Sequence, residues 1–382
     1  MAPIRIGFIG LSSRGWASST LVNPLFDPLL SSTYSLTALC TTSEASAQAA
    51  AEKYTKLAGH AVKAYHGADG LREIANDPEV DLIAVSVKIP EHYNAVIPAI
   101  EAGKDIFIEW APGVSYDETV KITEAAKKKG VRVLIGAQGI QLESLKMVKE
   151  LVDSGKIGKI VSTSAPWASR FFLLDRQSTA YHSLWTAGAT PLTIALGHFL
   201  TVFRHILGDF SEVSAHGITR IHEATIVDPD TKQSTGKVIP KNVHDQLAVS
   251  GTLQGKGNEP STFVNLHLRT GLPLTGEHGK GRTALKWIID GELGTIEVQN
   301  RPEDGGWGAF LNTTEKRVFL NGEEIKVASV EADRLGASGK AWLEFAKGKN
   351  GVFYDLEKSV KVHRVLDAAL TSIQEGRRIS LV

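Results

Sequence analysis

The stretch Ile4-Arg5-Ile6-Gly7-Phe8-Ile9-Gly10-Leu11-Ser12-Ser13-Arg14-Gly15-Trp16 decides the fold. Its first six residues are an apolar, isoleucine-rich run closed by glycine, which reads as a buried strand. A dinucleotide fingerprint follows such a strand with G-x-G-x-x-G. Its glycines give a tight turn, close approach of pyrophosphate, and close helix–strand packing. Here the three positions are Gly10, Ser12 and Gly15, so serine replaces the middle glycine. Its bulk is set against a hydroxyl able to donate to a phosphate. Taken alone, the loop is equally an ordinary glycine-rich strand-to-helix turn.

Outward from that loop, apolar runs alternate with helical segments. A helical segment follows the loop, then a strand at Leu36–Cys40 and a helix at Ser43–Leu57 with Ser43 as N-cap. Further strands are expected at Leu82–Val87, Ile106–Ile108 and Val131–Gly136, with helices at His92–Glu101 and Tyr116–Lys129. Strands alternating with helices of this length predict a parallel sheet covered on both faces. Beyond about residue 155 the pattern changes. Glu212–Ile218, Gln246–Leu253, Thr262–Leu268 and Leu285–Ile289 read as strands of a mostly antiparallel sheet, with helices at Ser144–Ser154 and Pro191–Leu207. Asp228–Lys241 is polar, carries Pro229 and Pro240, and reads as a loop. The fold class is therefore an N-terminal Rossmann domain, residues 1–136, joined to an α+β domain, residues 137–382. An amphipathic C-terminal helix, Asp355–Gln374, is expected to pack back on the first domain.

At 382 residues, two domains are the default. Hydrophobic residues at 42% and charged residues at 22% exclude extended disorder. Lys+Arg 42 balance Asp+Glu 42, leaving no net field for nucleic acid. The single Cys40 permits no internal disulfide and fits a reducing, cytoplasmic location. No apolar run is long enough for a membrane span. His216, His222, His244, His267 and His278 lack metal-ligand spacing, so no metal is expected.

At the end of the second strand, an NAD-preferring site would place an acidic residue against the ribose 2′-hydroxyl. Thr41 and Thr42 stand there instead, without repulsion toward a 2′-phosphate, and Arg14 is available to pair with one. NAD or NADP is the expected cofactor, with NADP favoured. Arg14 is otherwise a solvated loop residue.

The Gly-Phe-Ile-Gly loop, Pro90-Glu91-His92, Ala102-Gly103-Lys104, Glu109-Trp110-Ala111-Pro112 and Leu151–Gly158 occur in this order. The chain thereby resembles the glucose–fructose oxidoreductase/inositol dehydrogenase/MocA family along most of its length. Glu-Trp-Ala and the pair Gly15-Trp16 are similar to the branch that holds the galactose-pathway repressors. The resemblance implies a Rossmann domain, an open antiparallel sheet through which protomers associate, and NAD(P) chemistry on a small molecule. It also places Gly10, Ser12, Ser13, Arg14, Gly15, Trp16, Thr41, Thr42, Val87, Lys88, His92, Glu109 and Trp110 at the cofactor. Trp110, Gln138, Arg170, Tyr181 and His182 fall at the substrate.

Two departures bear on catalysis. The family's Glu-Lys-Pro lysine is replaced by Trp110, and its Asp-x-x-x-His pair keeps His198 but has Ile194 for the aspartate. Lys88, just past a strand end, would stand in for the lost lysine if partly buried beside nicotinamide. Its alternative is a surface lysine, or one that bonds cofactor phosphate or ribose. Tyr181 and His198 are the other candidate proton carriers, each equally readable as packing. Trp110 favours a flatter or more apolar ligand than a simple sugar. Three functions fit: an oxidoreductase acting on a hydroxyl, carbonyl or imine carbon; a catalytically silent, dinucleotide-binding regulator with a protein partner and a nuclear location; or a net non-redox reaction through transient hydride transfer.

Overall fold

The computed structural model describes residues 2–169, 175–176, 184–228, 231, 233–255, 261–271, 274, 277–300, 310–312 and 314–382. It divides into two compact units: Met1–Gln141 with Val330–Val360, and Leu142–Ser329 with Lys361–Val382.

The first unit is built on six parallel strands in the order β3-β2-β1-β4-β5-β6. They are β1 (Ile4–Ile9), β2 (Tyr34–Thr41), β3 (Lys63–His66), β4 (Leu82–Val85), β5 (Asp105–Glu109) and β6 (Val133–Gly136). The order reverses beside β1, which opens the crevice where doubly wound sheets bind their ligands. Between the strands run α1 (Pro28–Ser31), α2 (Glu44–Ala58), α3 (Gly67–Asn76), α4 (His92–Glu101) and α5 (Tyr116–Lys129). Ser43 accepts from Ser46 N at the start of α2, and Gly59 ends the helix in the left-handed region.

The helix expected after the glycine loop is instead fragmented. A π-turn at Ala17–Leu21 and a 3₁₀ turn at Asn23–Phe26 precede the four-residue α1. Pro24 and Pro28 withhold the N–H groups a continuous helix would use. The edge strand β3 carries mostly exposed side chains, and α3 begins at a glycine, so neither has a clear apolar signal.

The returning segment supplies α8 (Gly336–Ala346), whose Trp342 is completely buried. Its ring centroid lies 4.8 Å from that of Phe107 and 5.4 Å from that of Tyr34. Tyr34 also donates its hydroxyl to the Trp342 carbonyl at 2.9 Å.

In the second unit, a nine-stranded sheet runs β17-β16-β15-β14-β7-β13-β12-β9-β18. Its strands are β7 (Ile160–Ser169), β9 (Phe210–Ile218), β12 (Gln246–Leu253), β13 (Phe263–Thr270), β14 (Lys286–Gly291), β15 (Gly294–Gln299), β16 (Arg317–Leu320), β17 (Glu323–Ile325) and β18 (Ile379–Ser380). Only the β7–β13 pair is parallel. The pattern eBeBeBiB along β13 shows one face buried and the other open, as a half-covered sheet requires. α6 (Glu143–Asp153) and α7 (Gly197–Leu207) belong to this unit, and Phe199 of α7 stacks on Trp167 of β7 at 4.6 Å. The expected helix over Pro191–Leu207 starts as a π-turn, Pro191–Leu196, before α7. α9 (Leu356–Glu375) precedes β18 and extends across the sequence boundary at Val360 between the two units.

A second expectation is overturned. Asp228–Lys241 is not a loop throughout. Strand β11 (Ser234–Pro240) pairs antiparallel with β10 (Glu223–Val227), beside the short β8 (Asp175–Arg176). β11 is an exposed edge strand, so it needs no apolar alternation, and Pro240 at its end is tolerated there.

Candidate functional site

The carboxyl ends of β1, β4 and β5 present the cofactor candidates of the first unit. Gly10 ends β1 with φ +89°, and a Cβ there would lie 2.2 Å from the Ser86 carbonyl oxygen. Only glycine fits this approach of two strand ends. The loop is then held from behind. Lys53 Nζ donates to the Ser13 carbonyl at 3.0 Å and to Ser18 Oγ at 2.8 Å. The Tyr54 hydroxyl reaches Ser18 Oγ at 2.8 Å and the Ser12 carbonyl at 3.3 Å. Ser12 turns its own hydroxyl to the Arg14 carbonyl, while Arg14 and Gly15 are exposed. Lys53, Tyr54 and Ser18 were not singled out from sequence; a lysine–tyrosine pair on a helix carries no signal of a contact forty residues away.

Thr41 is buried and donates to the Ser43 carbonyl at 3.1 Å, whereas Thr42 is exposed at the strand end. His92 sets both ring nitrogens on main-chain carbonyls, Ala111 at 2.9 Å and Val87 at 3.2 Å. Burial pushes its pKa down to about 4, so the imidazole is neutral at physiological pH and its single N–H donates to one of the two carbonyls. His92 thus shapes the crevice through the loops it ties together. Val87 is half-buried against Gly10, and Lys88 caps a 3₁₀ turn with its side chain exposed. Trp110 is buried and is followed by a cis peptide bond to Ala111.

Glu109 is the most perturbed group of this cluster. Burial raises its pKa to about 8, against opposing hydrogen bonds from the Trp16 indole and from Gln138. Gln138 Nε2 donates to Glu109 Oε1 at 3.1 Å, and Gly136 leaves room for that carboxyl, since a Cβ there would lie 2.6 Å from the same oxygen. Trp16 is 40% exposed, so Glu109 links a solvent-facing loop indole to a fully buried amide. The Gln138 Oε1 atom is buried with no hydrogen-bond partner among the described residues.

The raised carboxyl pKa has a definite sign in stability. Between about pH 4.5 and pH 8 the folded chain holds a proton on Glu109 that the unfolded chain releases, so stability falls as pH rises. His92, His198 and His363, pushed down by burial to about 4, 3 and 4, act oppositely, but only below about pH 6.5. Between pH 6.5 and 8 the fall belongs to Glu109, at up to about 1.4 kcal/mol per pH unit. Urea titrations of the Glu109→Gln variant across that range are expected to show a flatter profile than wild type. An identical slope would put the Glu109 carboxyl in ordinary solvent.

In the second unit, His198 lies in the first turn of α7 and is 7% exposed. Asn312 Nδ2 lies 3.3 Å from its Nδ1 and 3.4 Å from its Nε2. Asn312 was missed from sequence, because 114 residues separate the pair and no spacing rule connects them. Arg170, Tyr181 and His182 lie outside the described residues.

The first unit fits a dinucleotide on its own geometry: the clearance at Gly10, the exposed Ser13-Arg14-Gly15 backbone, and an unsatisfied buried acceptor at Gln138. The family model described as "Oxidoreductase family, NAD-binding Rossmann fold" matches residues 4–137, and that for "Gal80p, C-terminal domain" matches residues 144–300. The two models match successive parts of the chain, which is thus similar to the glucose–fructose oxidoreductase/inositol dehydrogenase/MocA family and, in its second part, to Gal80p. Among curated relatives, the dehydrogenase aclE of Aspergillus oryzae is 25% identical, with 98% of this chain and 97% of that protein covered. The galactose/lactose metabolism regulatory protein GAL80 of Saccharomyces cerevisiae is 28% identical over 78% of this chain and 69% of its own length. A crystal structure of a super-repressor mutant of Gal80p from Saccharomyces cerevisiae superposes with TM-score 0.83 at 23% identity, covering 100% of this chain and 98% of that one. The chain therefore has a Rossmann domain similar to those of NAD-binding oxidoreductases and a second domain on a mixed, mostly antiparallel sheet. Among the described residues, no helix is long and apolar enough to cross a membrane.

Proposed function

We propose that the chain is an NAD(P)-dependent oxidoreductase that moves hydride to or from a small-molecule carbon bearing a hydroxyl or carbonyl, or an imine nitrogen. The observation that carries this reading is the prepared crevice of the first unit, where Gly10, the braced Ser12–Gly15 loop and Glu109 surround one set of strand ends. When bound, the nicotinamide would supply the hydride chemistry, and the chain's residues bind, orient and move one proton. Ser13, Arg14 and Gly15 would hold phosphate, and Glu109 with Gln138 would hold ribose hydroxyls. Uncharged Thr41 and Thr42, with exposed Arg14 in the glycine loop, favour NADP. Lys88 is the candidate proton carrier of this unit. Being exposed, it would take its desolvation from the bound cofactor and ligand. His198, held neutral by burial, is the candidate of the second unit, and Tyr181 is the third. Similarity to the Aspergillus dehydrogenase along nearly the whole chain supports an enzyme.

A second reading has its own support. Trp110 and Ile194 replace the motif lysine and aspartate, and the second unit matches the Gal80p C-terminal model. In that reading dinucleotide is sensed and not turned over, and the partner is another protein. Either way, association of copies through the nine-stranded sheet is supported by its open face. There Ser214, Ser250, Asn265 and Ser164 form one row across four strands.

The test is a redox screen of wild type and the Lys88→Ala variant with NAD, NADP and their reduced forms against metabolite extract. Tighter binding of NADP than NAD is expected, with turnover that falls about a hundredfold in the variant. Cofactor binding without any redox signal transfers the assignment to the regulator, or to a net non-redox reaction that returns its hydride. Equal rates in both proteins remove Lys88 as proton carrier.

A further inference from the structure

We infer that Arg269, on the open face of the second unit's sheet, anchors a site for the phosphate group of a small ligand. The site lies wholly within the second unit and stands whichever reading of the first unit holds.

Its place in the sheet comes first. Along β13, Val264, Leu266 and Leu268 are buried, and Phe263, Asn265, His267 and Arg269 alternate with them on the other face. Arg269 pairs in register with Gln246 of β12 and Ala168 of β7. It stands four residues, about 13 Å, along β13 from the row that contains Asn265. Its hydrogen bonding is incomplete. Arg269 is half-buried, and its Nη2 donates to the Thr283 carbonyl at 3.3 Å. The Nε–H is buried with no hydrogen-bond partner among the described residues. A guanidinium carries five N–H donors, and buried donors are nearly always satisfied by protein, water or ligand.

The charge is uncompensated as well. No carboxylate pairs with Arg269 among the described residues. Burial, and then the positive charge of Arg282, hold its pKa below the ordinary arginine value, and the group stays a cation. His267, two residues back on the same face, is pushed down by burial and by the charge of Arg269. Asp245, which precedes Gln246, is engaged elsewhere. Its carboxylate accepts from the Arg220 and Ile221 amides at 2.8 and 2.7 Å and from the Gln246 side chain at 3.3 Å. A half-buried cation without a counter-ion is unfavourable, and an anionic ligand relieves it. The class follows from shape and charge. The planar fork of a guanidinium takes two phosphate oxygens at once. A phosphate then keeps a third oxygen and a second negative charge for the field of Arg282, which a carboxylate lacks.

The arginine Nε–H resonances of the full-length protein test the site without any turnover. The Arg269 signal is identified by its loss in Arg269→Lys, and wild type is titrated with inorganic phosphate at constant ionic strength, with chloride as the balancing anion. The signal is expected to move saturably with a millimolar Kd, and methyl phosphate should move it over the same range. Because the readout is local to Arg269, phosphate held at the glycine loop does not imitate it. Calorimetry should show that second-unit binding weakens at least about tenfold in Arg269→Gln, and by less in Arg269→Lys, which keeps the charge but not the fork. An unmoved signal, or one that chloride moves equally, overturns the site. Equal affinity for succinate overturns the phosphate class, and a response to the free ion but not to methyl phosphate marks an adventitious ion only. Sedimentation completes the set. If Arg269→Gln dissociates an assembly that phosphate leaves untouched, the counter-ion is a carboxylate of a second copy, and the ligand site is overturned.

Discussion

Gly10→Ala is expected to destabilise the first unit by about 3 kcal/mol and to weaken NAD(P) binding at least tenfold. The added methyl group would lie 2.2 Å from the Ser86 carbonyl oxygen, 2.7 Å from its carbon and 2.9 Å from Val87 Cγ1. Two of these atoms are backbone at the end of β4, so no rotamer change relieves the contact. The φ of +89° adds strain of its own. Gly15→Ala provides the comparison. Its φ is +105°, but nothing lies within 4 Å of the new Cβ, leaving only a backbone penalty of about 1 kcal/mol. Thermal unfolding and cofactor titration of the two variants should therefore separate. Equal effects would mean that the approach of β1 to the β4 turn is slack.

Trp342→Ala should cost still more, about 3–5 kcal/mol, because the indole is wholly buried between Phe107 and Tyr34. Trp342→Phe is expected to stay within about 1.5 kcal/mol of wild type. Phenylalanine keeps most of the aromatic contact and removes an indole N–H that has no acceptor among the described residues. Urea unfolding of both variants measures this. A mild Trp342→Ala would show that α8 is dispensable to the first core.

The parallel sheet was legible because its central strands are apolar on both faces. Leu82, Ile83, Ala84 and Val85 are all fully buried, and a short apolar run set between Pro78 and Pro90 reads as a buried strand. β3, β11 and α3 were not, since exposed edge strands and a helix containing Gly67 and Gly70 have no reason to alternate. In the site, the glycine loop, Glu109 and Gln138 could be named from motif positions. The linkage among them could not. Glu109 joins Trp16 to Gln138 through burial, and burial is a property of the folded chain alone. Asn312 lay beyond any motif, because its meaning comes from His198, which reaches it only across the second unit.

The interrupted makeup of the first unit has a consequence for the order of synthesis. Six strands and five helices leave the ribosome early, yet the residue that fills their core, Trp342, is encoded after all but the last strand of the second unit. Until it arrives, Tyr34 and Phe107 face an unfilled apolar slot, so the nascent Rossmann half is a natural client for chaperones. Its maturation is tied to successful translation of the other half.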